Sequence, residues 1–147
     1  MKMVSIHQIQ DEIIREFSGF HGDMEMMLCH ILKLGQQLPP MPEIYKTNEH
    51  MIKGCQSKVW LAATIENEQV YFSADSNTVI TKGLISLLIR VFNGQPPDII
   101  ANADLYFIQQ NGMDRFIGTH RSHGLAAMIR HMKCSALALK AETQVDP

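Results

Sequence analysis

Apolar residues along the first part of the chain repeat at helical intervals. Ser5 and Gln8 have the spacing of a capping box, in which each side chain bonds the backbone N–H of the other residue. The apolar stripe that follows consists of Ile6, Ile9, Ile13 and Phe17. Gly19 and Gly22 interrupt the pattern, so the sequence predicts a first helix that ends before them.

A second helix is predicted after Asp23, whose carboxylate suits an N-cap position. The residues expected to face the core are Met24, Met27, Leu28, Ile31 and Leu34. Gly35 is the predicted stop signal of this helix. Prolines at positions 39, 40 and 42 then favour a non-helical linker, because proline fixes φ and lacks an N–H.

After Lys58 the hydrophobic period changes from that of a helix to that of a strand. Alternate positions in two runs are apolar, namely Val59, Leu61, Ala63 and Ile65, then Val70, Phe72 and Ala74. The polar residues 66–68 separate the runs, which predicts an antiparallel hairpin. Because an isolated hairpin is only marginally stable, a third strand is expected, and residues 104–108 are its candidate.

The second half of the chain returns to helical spacing. Ser76 or Asn77 is the predicted cap of a helix whose inward residues are Val79, Ile80, Leu84, Leu87, Leu88 and Val91, and Asn93-Gly94 ends it. Pro97 starts a short helix through about Asn102. A last helix runs from near Ser122 to near Ala141, with a core stripe of Leu125, Met128, Ile129, Met132, Ala136 and Leu139.

Together these elements predict an α+β fold. One domain spans residues 1–147 and holds a small antiparallel sheet of about three strands covered by helices. Residues 142–147 are expected to form a frayed tail.

Composition narrows the function classes. A formal charge of −2 and a pI near 6.4 argue against nucleic acid or an anionic membrane as the main partner. The start of the chain lacks the apolar core of a secretory signal, and the most apolar stretch, residues 84–91, is too short to span a membrane. Three widely spaced cysteines suit a reducing compartment, so a cytoplasmic location is expected.

The strongest chemical candidate is Cys55. It follows Gly54, which allows backbone angles that other residues avoid, so the thiol can lie on a tight, mobile turn. Lys53 and Lys58 would favour the nucleophilic thiolate, and Gln56 offers hydrogen-bond donors to it. A small buried hydrophobe at the start of a strand is the alternative interpretation, and the local sequence alone leaves both open.

The other two cysteines lie off the apolar stripes of their helices and are expected to be partly exposed. Cys134 shares a helical face with His131, but a structural zinc site needs four ligands and no second pair is nearby. The pair Cys29-His30 meets the same objection. Arg121 lies in a polar stretch before the predicted last helix, where it belongs either to a polar helix start or to a hydrogen-bond network that stabilises a thiolate or persulfide.

Several motifs, in order, resemble those of the SufE family, which includes its relative CsdE. The strongest is GCQSKVW at 54–60, and LGQQLP at 34–39 precedes it. ADS at 74–76, KGLI at 82–85 and RSHGL at 121–125 follow. The resemblance extends roughly from residue 13 to residue 133, and it implies a compact α+β fold shared with IscU-type scaffold proteins.

The resemblance also implies a function in iron–sulfur cluster assembly. Cys55 would take persulfide sulfur from a pyridoxal-phosphate cysteine desulfurase of the SufS or CsdA type and stimulate it, then pass the sulfur to a downstream scaffold. Gly54, Gln56, Lys53 and Arg121 would support the loop and its charge. The partner would hold the pyridoxal phosphate, so the chain would be a cofactor-free activator rather than a complete enzyme. An iron–sulfur or metal scaffold is the main alternative, and a cysteine hydrolase is a third.

Overall fold

The computed structural model describes residues 4–143, without the side chains of residue 116 and residues 118–123. Five α-helices lie in this part of the chain: α1 (Ile6–Ser18), α2 (Met24–Gln37), α3 (Val79–Phe92), α4 (Pro97–Ala101) and α5 (Met113–Thr143). The two strands are β1 (Val59–Glu66) and β2 (Gln69–Ser76), and short 3-10 helices span Glu43–Tyr45, Asn48–His50 and Tyr106–Gln109. The predicted α+β fold is confirmed.

The predicted capping box starts α1. Ser5 Oγ accepts from the Gln8 amide and Gln8 Oε1 accepts from the Ser5 amide, each at 3.1 Å. Ile6, Ile13 and Phe17 are buried, as their spacing predicts. The first helix therefore packs its apolar stripe on the core.

Helices α2 and α3 cross at a pair of glycines. Asp23 caps α2 as predicted, but the helix continues to Gln37, so the stop signal assigned to Gly35 is wrong. A Cβ on Gly35 would overlap the Val79 carbonyl, and a Cβ on Gly83 would overlap the Ile31 carbonyl. The absence of side chains here lets the two backbones approach closely. Met24, predicted to face inward, is 44% exposed.

The predicted hairpin is confirmed. Strands β1 and β2 pair antiparallel, with Glu66 opposite Gln69. Asn67 and Glu68 between them both have positive φ, at 53° and 65°, which is the backbone of a type I′ turn. Val70, Phe72 and Ala74 on β2 are all buried, in keeping with the alternation in the sequence.

The third strand predicted at 104–108 is wrong, since much of this segment is the 3-10 helix Tyr106–Gln109. Its polar backbone is bonded by the buried Gln10 side chain, which donates to the Asp104 carbonyl at 3.1 Å and accepts from the Phe107 amide at 3.2 Å. Within the described residues the sheet has two strands. Helices α3 and α5 pack on the hairpin and supply the stability that a third strand would give.

The boundaries of two helices differ from the predicted ones. Thr78, rather than Ser76 or Asn77, is the N-cap position of α3, because the Asn77 side chain accepts from the Lys58 amide instead. Val79, predicted inside, is 38% exposed. Helix α5 begins at Met113 rather than near Ser122 and reaches Thr143, inside the segment predicted as a tail; residues 144–147 lie outside the described part.

Candidate functional site

Cys55 lies on the loop that leads into β1. Buried Ile52 anchors the loop, with its amide donating to the Val59 carbonyl at 2.8 Å. Gly54 is exposed and has a φ of +93°, a conformation that strains any residue with a Cβ. The turn on which the sequence places the thiol is therefore present.

The Cys55 side chain is half-buried against helix α5. Its Sγ donates to the carbonyl oxygen of Gly124 at 3.5 Å. A Cβ on Gly124 would lie 3.5 Å from that sulfur, so the bare glycine surface lets the helix approach the thiol. The contact between Gly124 and the thiol was not predictable, although Gly124 lies inside the predicted last helix, because the two residues are 69 positions apart in the sequence.

One face of Cys55 borders a cavity of about 190 Å³. The apolar lining residues are Ile80, Leu84 and Met128, and Gln56 and Gly124 also contribute. Three hydroxyl residues complete it: Ser57, Thr78 and Thr81. Thr78 and Thr81 were not identified as site residues from the sequence. The only feature that could have indicated them is their spacing of three, which places two hydroxyl groups on the same side of a helix.

These three hydroxyls bond one another in a closed hydroxyl ring. The Thr78 hydroxyl donates to Thr81 Oγ1 at 2.7 Å, the Thr81 hydroxyl donates to Ser57 Oγ at 3.3 Å, and Ser57 Oγ lies 3.1 Å from Thr78 Oγ1. Thr78 occupies the N-cap position of α3, but its side chain accepts no hydrogen bond from a backbone amide of the first turn. The ring thus links the Cys55 loop to α3 at the wall of the cavity.

Burial raises the pKa of the Cys55 thiol. Lys53 and Lys58 are exposed and do not offset this effect. The expectation that the two lysines hold Cys55 as a thiolate is therefore wrong for this conformation, in which water, not the thiol, surrounds their charge. Lys53 instead lines a separate groove with Arg130 and is accessible to solvent.

The remaining candidates are dispersed. Cys29 and Cys134 are exposed free thiols, which confirms their predicted positions off the apolar stripes. His30 bonds Glu16, with 2.7 Å between Nε2 and Oε2. No group of three or more His, Cys, Asp and Glu side chains converges among the described residues. The side chain of Arg121 lies outside the described residues, but its position within α5 makes the polar-helix-start interpretation wrong.

An ion-pair cluster lies at the end of β2. Asp75 contacts Lys46, with 2.6 Å between Oδ2 and Nζ, and Lys82, with 3.4 Å between Oδ1 and Nζ. Burial works to raise the pKa of Asp75, but the Lys46 bond, the Ser76 amide and the charge of Lys82 together lower it. The cluster connects the segment before the Cys55 loop to both β2 and α3.

Comparison with known proteins gives the family of this chain. The family model SufE, described as an Fe-S metabolism associated domain, matches residues 11–136. This chain belongs to the SufE family. A similar SufE-family relative, an uncharacterized SufE-like protein of Rhizobium meliloti (strain 1021), is 31% identical over 131 residues, covering 86% of this chain and 93% of that protein.

A solved structure supports the fold of this SufE-family chain. The solution structure of a hypothetical protein from Thermus thermophilus matches with a TM-score of 0.76 over 95% of this chain and 99% of that one, at 18% sequence identity. Such a likeness concerns the fold alone. Family membership associates the chain with iron–sulfur metabolism. None of the helices in residues 4–143 is both long and apolar enough to cross a membrane.

Proposed function

We propose that Cys55 accepts a sulfur atom from the persulfide of a pyridoxal-phosphate cysteine desulfurase of the SufS or CsdA type. The chain then carries the sulfur to a downstream scaffold for iron–sulfur cluster assembly. The observation that supports this most is a free thiol on a glycine turn, bordering a cavity, in a chain of the SufE family.

The proposed step is an exchange between a thiolate and a persulfide. The Cys55 thiolate attacks the outer sulfur of the partner's persulfide and forms a new S–S bond, while the partner's S–S bond breaks. The partner cysteine leaves as a thiolate, so it is reduced as Cys55 is oxidised, and no other oxidant is required. Such exchange follows the thiolate fraction, nucleophilicity and access of the attacking sulfur.

The resting conformation limits this reaction. Because burial raises the pKa of Cys55, most of the thiol is protonated near neutral pH. Movement about the exposed Gly54 turn would bring the sulfur away from Gly124 and into a partner's site. We assign Gly54 to this movement and exposed Lys53 and Gln56 to contact with the partner, whereas the support of the loop by Arg121 stays a prediction from the resemblance.

Replacement of each cysteine by serine tests the proposal. The variants are mixed with the desulfurase and free cysteine, and intact mass and sulfide release are measured. Cys55→Ser should abolish both the mass gain of one sulfur atom and the stimulation of the desulfurase. The exposed controls Cys29→Ser and Cys134→Ser should retain both. Sulfur uptake by Cys55→Ser would refute the assignment.

Two alternatives have their own readouts. A cluster scaffold would develop visible absorbance after anaerobic reconstitution with iron and sulfide. Substitution of Cys55 or Cys134 would abolish that absorbance. A cysteine hydrolase would show an acyl-enzyme burst on thioester or amide substrates.

A further inference from the structure

The cavity beside Cys55 has an asymmetric wall. On one side the Gly124 carbonyl oxygen accepts from the thiol, and a carbonyl can only accept hydrogen bonds. On another side the hydroxyl ring of Ser57, Thr78 and Thr81 presents groups that donate as well as accept. An anion in the cavity would therefore be repelled by the first wall and stabilised by the second.

We propose that the cavity holds the outer sulfur of a Cys55 persulfide and that the hydroxyl ring binds this sulfur as an anion. The inference rests on the proposed function, because it concerns the product of sulfur transfer. An S–S bond is about 2.05 Å long, so the outer sulfur extends from Sγ into the adjoining space, where about 190 Å³ is open.

The ring can reorganise at small cost. Each hydroxyl has one proton and can rotate about its C–O bond. Turning one proton from its neighbour to the sulfur opens one edge of the ring and leaves the other two hydrogen bonds in place. Ser57, Thr78 and Thr81 are only partly buried and line an open cavity, so solvent can replace the donor that one oxygen loses.

Binding of the persulfide sulfur would also explain why the Thr78 side chain does not cap α3. A threonine at an N-cap normally accepts from a backbone amide of the first turn, and Thr78 does not. Its hydroxyl is directed to Thr81 and Ser57, both on the cavity wall. The side chain thus lies where it can contact the added sulfur.

The test uses a chain in which Cys29 and Cys134 are serine and Cys55 is loaded chemically. The Cys55 thiolate attacks an outer sulfur of inorganic tetrasulfide, forms the persulfide and releases trisulfide. The form with one added sulfur atom is selected by intact mass. Its near-ultraviolet absorbance is then titrated against pH, because the persulfide anion and its protonated form absorb differently.

At least one of the variants Thr81→Val, Thr78→Val and Ser57→Ala, the one that removes the hydroxyl turned to the sulfur, should move this titration upward by about one pH unit, the shift for a tenfold loss of anion stabilisation that one charge-assisted hydrogen bond gives. Thr81→Ser keeps the donor and should titrate like the parent. Thr64→Val, at an exposed site on β1, is the matched control and should also leave the titration unchanged.

A purely structural hydroxyl ring would change thermal stability without moving the titration. If a valine variant fails to fold, Ser57→Ala on the loop provides the same comparison. Parent-like titration in every folded variant that lacks a ring hydroxyl overturns the inference. Because loading requires no desulfurase, a failure of transfer from that enzyme would refute the proposed function without altering this result.

Discussion

Glycine brings two backbones together at two places in this protein, the α2–α3 crossing and the contact between the Cys55 loop and α5. At the crossing, an added Cβ on Gly35 or Gly83 would overlap main-chain atoms of the opposite helix. At the loop, a Cβ on Gly54 or Gly124 would first meet a side-chain atom at 3.5 Å, which is an ordinary contact distance. Identical residue types therefore meet very different surroundings.

The difference separates a fixed contact from an adjustable one. Main-chain atoms of a packed helix can move only with the whole helix, so the crossing sets the distance between α2 and α3. The Cys55 thiol can rotate about its Cα–Cβ bond, so its contact with Gly124 leaves room for a changed sulfur. The site occupies the adjustable region, and the crossing supports α3, which provides one wall of its cavity.

Gly83→Ala should have the largest effect. The new methyl group collides with the Ile31 backbone, so overpacking should lower the free energy of unfolding by about 3 kcal/mol. Denaturant unfolding measures this change. Gly19→Ala, at a helical φ of −64° with its nearest contact at 3.7 Å, is the control and should change stability by less than about 1 kcal/mol. Equal effects of the two substitutions would contradict a fixed crossing.

Gly54→Ala should have an intermediate effect through backbone strain. At a φ of +93° an alanine costs about 1–3 kcal/mol unless the loop changes conformation. Gly22→Ala, at a φ of +78° with open space around it, imposes similar strain elsewhere. Both should lower the denaturation midpoint, but only Gly54→Ala should alter the rate at which iodoacetamide alkylates Cys55. An unchanged rate would show that the glycine turn does not control access to the thiol.

Gly124→Ala should separate stability from site chemistry. Alanine favours a helix interior by about 0.8–1 kcal/mol relative to glycine, and the contact at 3.5 Å is tolerable, so unfolding stability should hold or rise. The methyl group nevertheless occupies space beside the Cys55 sulfur. Persulfide formed from the desulfurase, measured by intact mass, should therefore decrease. If Gly124→Ala were strongly destabilised, the contact between Cys55 and α5 would be as fixed as the α2–α3 crossing.

The smallest effect concerns Asp75, which links the two regions through Lys46 and Lys82. Its folded pKa is lowered, so its contribution is present above the unfolded pKa, near 4, and is lost as pH falls through the lower folded value. Asp75→Asn should cost about 1 kcal/mol or less at pH 7, because the lysines are partly exposed. Denaturation curves of the two proteins should converge in acid, and a constant difference would exclude this ion pair as the cause.

The features that were predicted correctly are those that depend on residues close together in the sequence. The capping box at Ser5 and Gln8, the hairpin and the exposure of Cys29 and Cys134 follow from spacing alone. The third strand was predicted because a hairpin needs support, and helices supplied that support instead. Which element packs on the hairpin depends on tertiary contacts, and the hydrophobic period of the sequence does not show those contacts.

Long-range contacts were likewise hidden in the site. Glycine commonly follows the end of a helix, but Gly35 lies inside α2, where its lack of a side chain allows close contact with the α3 backbone. The sequence identified Cys55 and Gly54 by their chemistry and conformation. The neighbours that shape the sulfur's surroundings, Thr78, Thr81 and Gly124, come from segments distant in sequence, and only the folded chain brings them to it.

The half-buried state of Cys55 has a consequence for the protein between encounters. A protonated sulfur turned toward a helix reacts slowly with the small disulfides and peroxides that circulate in a cell. Under the proposed function, the free chain would therefore keep Cys55 reduced, while the exposed Cys29 and Cys134 would be oxidised more readily. The Cys55 thiol would then become reactive only when a partner protein moves it away from α5, and it would stay unreactive in the free chain.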